Sequence, residues 1–190
     1  MTVFECIELF ATLTGVAYVV LEILHLNAMW VVGILTGAAC AWSFGAQHLW
    51  ASMGLNMYYI VMSVVGLIQW RRDASKSEDS TIPLRRLTLK TGIWSGAAFV
   101  VCTLGLIALL RWLGDSAPAL DGVAFGLSIV GTVWLALSFP EQWVIWIVAD
   151  IISSALCFST GLTTMGWLYV AYVISAVYGY IHWMRHGRYI

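Results

Sequence analysis

Hydropathy along the chain rises and falls in long blocks. Seven apolar runs follow one another, over residues 3–24, 28–44, 51–70, 93–113, 123–139, 143–158 and 164–183. A bilayer core of about 30 Å takes about 20 residues of helix, so the second, fifth and sixth runs are short. The runs show no sustained two-residue alternation, which argues against a β-barrel. One long polar stretch interrupts them, "RRDASKSEDSTIPLRRLTLK" from Arg71 to Lys90, and Pro140 stops the fifth run. The pattern predicts an all-α integral membrane protein with seven transmembrane helices.

Composition sharpens this. Of 190 residues, 61% are hydrophobic and only 10% charged, against about 25% charged in a typical soluble domain. So few charges do not cover a water-facing surface. A net charge of −1 points to no polyanionic partner. Cys6, Cys40, Cys102 and Cys157 are scattered through apolar runs with no metal-ligand spacing, and read as small buried hydrophobes. No metal and no cofactor is expected. The N-terminus lacks the basic region of a cleavable signal, and Glu5 and Glu8 come early.

Charge sets an orientation. Among the 9 Lys and Arg, Arg71, Arg72, Lys76, Arg85, Arg86 and Lys90 lie after the third run, and Arg185 and Arg188 in the tail. The positive-inside rule places both segments in the cytoplasm. Seven crossings then put the N-terminus outside, in agreement with the acidic loop "GDSAPALDG" after the fourth run. Arg111 snorkels to the outer surface beside Asp115.

A shift of 113 residues superimposes two parts of the chain. Trp30 falls on Trp143, Leu49 on Leu162, Leu55 on Leu168 and Tyr59 on Tyr172, and "GLIQW" ending at Trp70 falls on "GYIHW" ending at Trp183. The offset spans four helices, so both copies cross in the same direction: a parallel 3+1+3 repeat. The expected organisation is a three-helix bundle over 1–70, a basic loop over 71–92, a linker helix over 93–113, a second bundle over 122–184 and a tail over 185–190. Transporters built from such repeats hold substrate near the midplane.

Candidate chemistry centres on "WVIWIVADIISS" (143–154). Trp143, Trp146 and Asp150 are spaced i, i+3, i+7 and share one helix face. An ionisable residue inside a span marks function by default. No Lys or Arg lies deep in any span to pair with Asp150. A flat cation between indole faces and a carboxylate satisfies both features, whereas the bland alternative is a structural Asp. Thr36, Asn56, Ser63, Tyr58, Tyr59 and Tyr178 also fall within spans; Thr36 and Ser63 equally suit bonds to their own helix. Glu22 and His25, near the inner end of the first run, read as solvated, as do Glu5 and Glu8. Trp50, Trp70 and Trp183 read as interfacial belt residues, His48 and His182 likewise. No GxxxxGK[ST], HExxH or GxSxG motif is present, which sets aside a P-loop ATPase and weakens an intramembrane protease.

The stretches "LWASMGLNMYYIVMSVVGLIQW" (49–70), "EQWVIWIVADIIS" (141–153) and "YGYIHW" (178–183) resemble the Pnu family of vitamin transporters, with its WxxW pair and its Gly-xxx-Trp endings. The resemblance covers most of residues 20–188. It implies seven helices in a 3+1+3 arrangement similar to that of the SWEET sugar transporters, homotrimers in the inner (plasma) membrane, and facilitated diffusion made one-way by a cytoplasmic vitamin kinase. The scaffold matches better than the pocket. Where the nicotinamide riboside pattern has Asn after the WxxW pair, this chain has Asp150. Asn56 and Ser63 replace a Gln and an Asn of the third helix, Thr36 an Asn of the second, and Tyr178 an Asn of the last. Nicotinamide riboside carries a pyridinium and thiamine a thiazolium, and both suit Trp plus Asp; neutral riboflavin gives Asp150 no reason to exist. The expectation is a transporter for a cationic vitamin, nicotinamide riboside first and thiamine as alternative. A membrane enzyme using Asp150 as acid or base, and a scaffold or sensor subunit, are the readings of other classes.

Overall fold

A computed structural model of the chain describes residues 3–48, 50–76, 82–114, 118–159, 161 and 163–189. Leu49, Leu162 and Asp115 lie outside the described residues. Among those described, the regular structure is seven helices: α1 (Val3–Ile23), α2 (Ala28–Ala46), α3 (Trp50–Ala74), α4 (Leu89–Trp112), α5 (Pro118–Ala136), α6 (Gln142–Ser159) and α7 (Thr163–His186). Five are long and apolar enough to cross a membrane: α2, α3 from Ser52, α4, α5 and α6; the described apolar part of α1, Leu9–Ile23, is shorter.

The helix ends depart from the apolar runs for local reasons. α3 continues through Arg71 and Arg72, whose charges suit a helix C-terminus, and Gln69 Nε2 donates to Asp73 Oδ2 at 3.1 Å within that last turn. α4 begins early because Thr88, in extended conformation, caps it and accepts from the Thr91 N–H at 3.2 Å. α5 starts at Pro118, a residue preorganised for a first turn, and ends before Pro140.

Helix corners recur in the 113-residue register. His25 (φ 55°) and Ser138 (φ 57°) are both left-handed, an uncommon state for residues other than glycine. Around the first, Leu26 N–H donates to Leu21 O at 3.0 Å and Trp30 N–H to Asn27 O at 3.2 Å; around the second, Phe139 N–H donates to Trp134 O at 3.0 Å and Trp143 N–H to Pro140 O at 3.2 Å. His48 (φ 59°) and Gly161 (φ 80°) form a second matched pair.

Side-chain packing follows the same register. Trp30 is fully buried against Gly66, where a Cβ would meet its indole, and meets Trp70 edge to face at 5.2 Å and 78°. Trp143 is buried against Gly179 and meets Trp183 at 5.5 Å and 86°. Such aromatic pairs contribute roughly 0.5–1.5 kcal/mol beyond burial. This corrects the interfacial reading of Trp70 and Trp183, which are 0% and 1% exposed. Their neighbouring basic residues suggested a membrane surface, but the rings that cover them come from another helix.

The chain packs as two units. The first comprises residues 1–83 with 136–138, the second 84–135 with 139–190. In the first, α2 packs on both α1 and α3. In the second, α6 packs on α7, and α5 is tied to α4 by Trp134 Nε1 donating to Ser95 Oγ at 2.9 Å. α4 therefore packs within the second unit. The segment 84–88, within the expected basic loop, is partly buried there too. Leu84 is 0% exposed, its N–H donates to Arg188 O at 2.7 Å, and the Arg86 guanidinium lies 5.4 Å over the Tyr189 ring. The outward residues of α4, among them Ile93, Trp94, Val101 and Leu104, are apolar and exposed, as a lipid-facing surface requires.

Candidate functional site

α6 begins with a buried turn and carries a polar stripe at Trp143, Trp146, Asp150 and Ser154. Structure consumes both ends of that stripe. Trp143 is locked between Gly179 and Trp183. Ser154, also buried, donates its hydroxyl to Gly166 O of α7 at 3.1 Å. Among the described residues, the two middle members of the stripe carry no comparable lock. Trp146 lies along α5, where a Cβ on Gly131 would sit 3.3 Å from its Cε2 and 3.5 Å from its Nε1. Its Nε1–H, like that of Trp143, is buried without an acceptor among the described residues. Asp150, one turn on, is 9% exposed. The nearby hydroxyl on which its charge acts is that of Tyr172 on α7. Buried polar groups are normally hydrogen-bonded, and a carboxylate inside a span is expensive to keep. A donor and an acid side by side on one stripe suit a ligand that brings an acceptor and a positive charge.

The other expected residues divide. Tyr59 and Ser63 belong to the first unit; the Ser63 Oγ lies 2.9 Å from where a Gly33 Cβ would be, and the Tyr18 ring equally close. Ser63 is buried, and Tyr59 is close enough to act electrostatically on the Tyr18 hydroxyl. Thr36 and Asn56 spend donors on their own helices, Thr36 Oγ1 to Val32 O and Asn56 Nδ2 to Ser52 O, both at 2.9 Å. Tyr178 is 60% exposed and stacks on His182 at 6.1 Å, so it does not join Trp146 and Asp150.

Two residues escaped the sequence reading. Glu22 is 5% exposed rather than solvated, at the end of α1, which packs on α2. Tyr18, one turn before it, is seated on Gly33. The repeat register contained the signal: it aligns Tyr18 with Gly131 and Gly33 with Trp146, an aromatic facing a glycine in both cases. Among the described residues, no group of three or more His, Cys, Asp or Glu is placed to hold a metal ion.

The nicotinamide mononucleotide transporter family model matches residues 5–185. Over 185 residues the sequence is 32% identical to the nicotinamide riboside transporter PnuC of Neisseria mucosa, covering 92% of this chain and 70% of that protein. It is 27% identical over 169 residues to the riboflavin/roseoflavin transporter RibM of Streptomyces davaonensis, covering 84% of this chain and 75% of that one. A crystal structure of the vitamin B3 transporter PnuC superposes with a TM-score of 0.72 at 32% identity, over 93% of this chain and 79% of the other.

Proposed function

The chain belongs to the nicotinamide mononucleotide transporter family, and from that premise we propose that it carries nicotinamide riboside across the membrane, with Asp150 as counter-charge to the pyridinium and Trp146 as its stacking face. It is a multi-pass membrane transporter, which sets aside the enzyme reading of Asp150. One observation carries the substrate assignment: the middle of the α6 stripe presents a buried indole N–H and a buried carboxylate that the described fold does not use. The neutral flavin named for one relative gives that carboxylate no partner. Thiamine, also a flat cation, is the second reading, and the same carboxylate favours it.

The wider organisation follows the same reading. Seven crossings in a parallel 3+1+3 repeat, like that of the SWEET transporters, are supported by the matched corners and matched Trp–Gly–Trp packing. The N-terminus lies outside, and the basic loop and tail lie in the cytoplasm. The protein acts as a homotrimer in the inner (plasma) membrane and works by facilitated diffusion, with a cytoplasmic kinase trapping the vitamin. Thr36, Asn56, Tyr59 and Ser63 are the first unit's candidate substrate-binding residues, with Asn56 contributing its remaining amide oxygen; Tyr178, exposed on α7, is a peripheral candidate.

Calorimetry and proteoliposome uptake test this together. Wild type should bind nicotinamide riboside and equilibrate it without ATP or an ion gradient. Asp150→Asn should weaken cation binding while sparing the uncharged 1,4-dihydro form. Trp146→Ala should cost about tenfold in affinity for the cation, the worth of a desolvated cation–indole contact. Equal binding of cation by wild type and Asp150→Asn, or accumulation driven by a proton gradient, contradicts the reading.

A further inference from the structure

The two units use one packing device with the partners exchanged. In the second, the ring comes from α6, and Trp146 lies on Gly131 of α5; in the first, it comes from α1, and Tyr18 lies on Gly33 of α2. The 113-residue register pairs Tyr18 with Gly131 and Gly33 with Trp146. In each unit an acid follows the ring by four residues on the same helix face: Glu22 after Tyr18, Asp150 after Trp146. Both acids are buried, 5% and 9% exposed. Yet they are not repeat equivalents, because the register pairs Glu22 with Leu135 and Asp150 with Gly37. A structural need shared by both repeats would place an acid at matching positions. Here the acid instead follows the ring, whichever helix supplies it.

We propose that Tyr18 and Glu22, with Ser63 and Tyr59 beside them, form a second cation-binding site in the first unit. The inference rests on the reading that the cargo is a cationic vitamin. Its chemistry repeats that of the α6 site in other residues: an aromatic face, a carboxylate one turn away, and hydroxyls for a hydroxylated appendage. The Tyr18 ring and the Ser63 hydroxyl meet at one point over Gly33, and Glu22 and Tyr59 are the groups acting on the Tyr18 hydroxyl. Functionally, two moderate sites move a cation better than one deep site, because passage needs binding favourable enough to enter and weak enough to leave. Glu22 therefore governs how fast the cation passes, and Asp150 how tightly it is held.

The test is the ratio of uptake rates for nicotinamide riboside and its uncharged 1,4-dihydro form in proteoliposomes. Glu22→Gln should lower that ratio about tenfold, the effect expected of losing one charge-assisted contact, and Tyr18→Leu should lower it about threefold or more, since the aromatic face is lost. Equal slowing of both forms by Glu22→Gln, or no slowing of either, overturns the proposal. Asp150→Asn is run in parallel. If it leaves the ratio unchanged while Glu22→Gln lowers it, the Asp150 assignment falls and the second site stands; in the converse case the second site falls and the Asp150 assignment stands. Should Glu22→Gln not fold, wild-type protein is treated with a hydrophobic carbodiimide and the labelled carboxylates are read by mass spectrometry. Nicotinamide riboside at saturation should protect Glu22 as well as Asp150. Protection of Asp150 alone overturns the proposal.

Discussion

A single residue, His25, shows how the fold fixes charge at a corner. It lies between α1 and α2, left-handed, with its ring 4.5 Å from Trp70 and nearly perpendicular to it. Burial pushes its pKa down from 6.5 to about 3, because a charged imidazolium there loses its water. The unfolded chain takes up a proton near pH 6.5, and the folded one holds none until about pH 3. Stability from this residue is therefore full above that range and falls as pH drops through it, by at most about 1.4 kcal/mol per pH unit. The variant His25→Asn, which tolerates the left-handed backbone, should lose this limb. Its melting temperature should fall less steeply between pH 7 and pH 4 than that of wild type. Parallel slopes contradict the assignment. Neither the burial of Glu22 nor the partial burial of His25 was legible in the sequence. Both residues lie at the end of an apolar run, where solvent is the default neighbour, and the ring that covers His25, Trp70, comes from α3, which no spacing along α1 announces. The Trp146–Asp150 stripe was legible because both residues lie on one helix, where spacing alone sets the face.

At the scale of elements, the end of α7 is fastened to the segment before α4. Gly187 N–H returns to Trp183 O at 2.8 Å, and a Cβ on Gly187 would collide with the Leu84 side chain and approach Trp183 O to 2.6 Å. Tyr189 adds a hydroxyl bond to the Met184 sulfur at 3.0 Å. Gly187→Ala should therefore destabilise by about 1–3 kcal/mol, as overpacking does. It should also expose the tail to carboxypeptidase before the protein melts. An unchanged melting curve and an uncut tail contradict this. All seven helices were legible as apolar runs in the sequence. Their ends were less so. Caps such as Thr88 and the corner at Ser138 depend on one residue's backbone angles, which hydropathy does not encode.

For the whole molecule, the fastening makes a topological demand: the segment before α4 and the tail must share a side of the membrane. In a background without native cysteines, Lys76→Cys and Arg188→Cys, both at exposed positions, should resist an impermeant thiol reagent in intact cells. Leu113→Cys, beyond the far end of α4, should react. Labelling of Lys76→Cys and Arg188→Cys from outside contradicts the orientation, and labelling of only one contradicts the fastening as well. The 113-residue register was legible because tryptophan and glycine are informative letters in an oily text. The exchange of ring and glycine between its copies was not, because aligning unlike residues leaves no match to notice.

That exchange bears on inheritance. If the chain descends from a duplicated half, an ancestor whose two halves were identical could not place one ring on the first helix and the other on the second. A ring at both Tyr18 and Gly33 in one half would collide, and glycine at both would leave neither half a ring. Joining the halves in one gene lifts the requirement that a single sequence serve both places. The two halves are then no longer interchangeable: a chimaera of two first halves lacks Trp146 and Asp150, and one of two second halves lacks Tyr18 and Glu22.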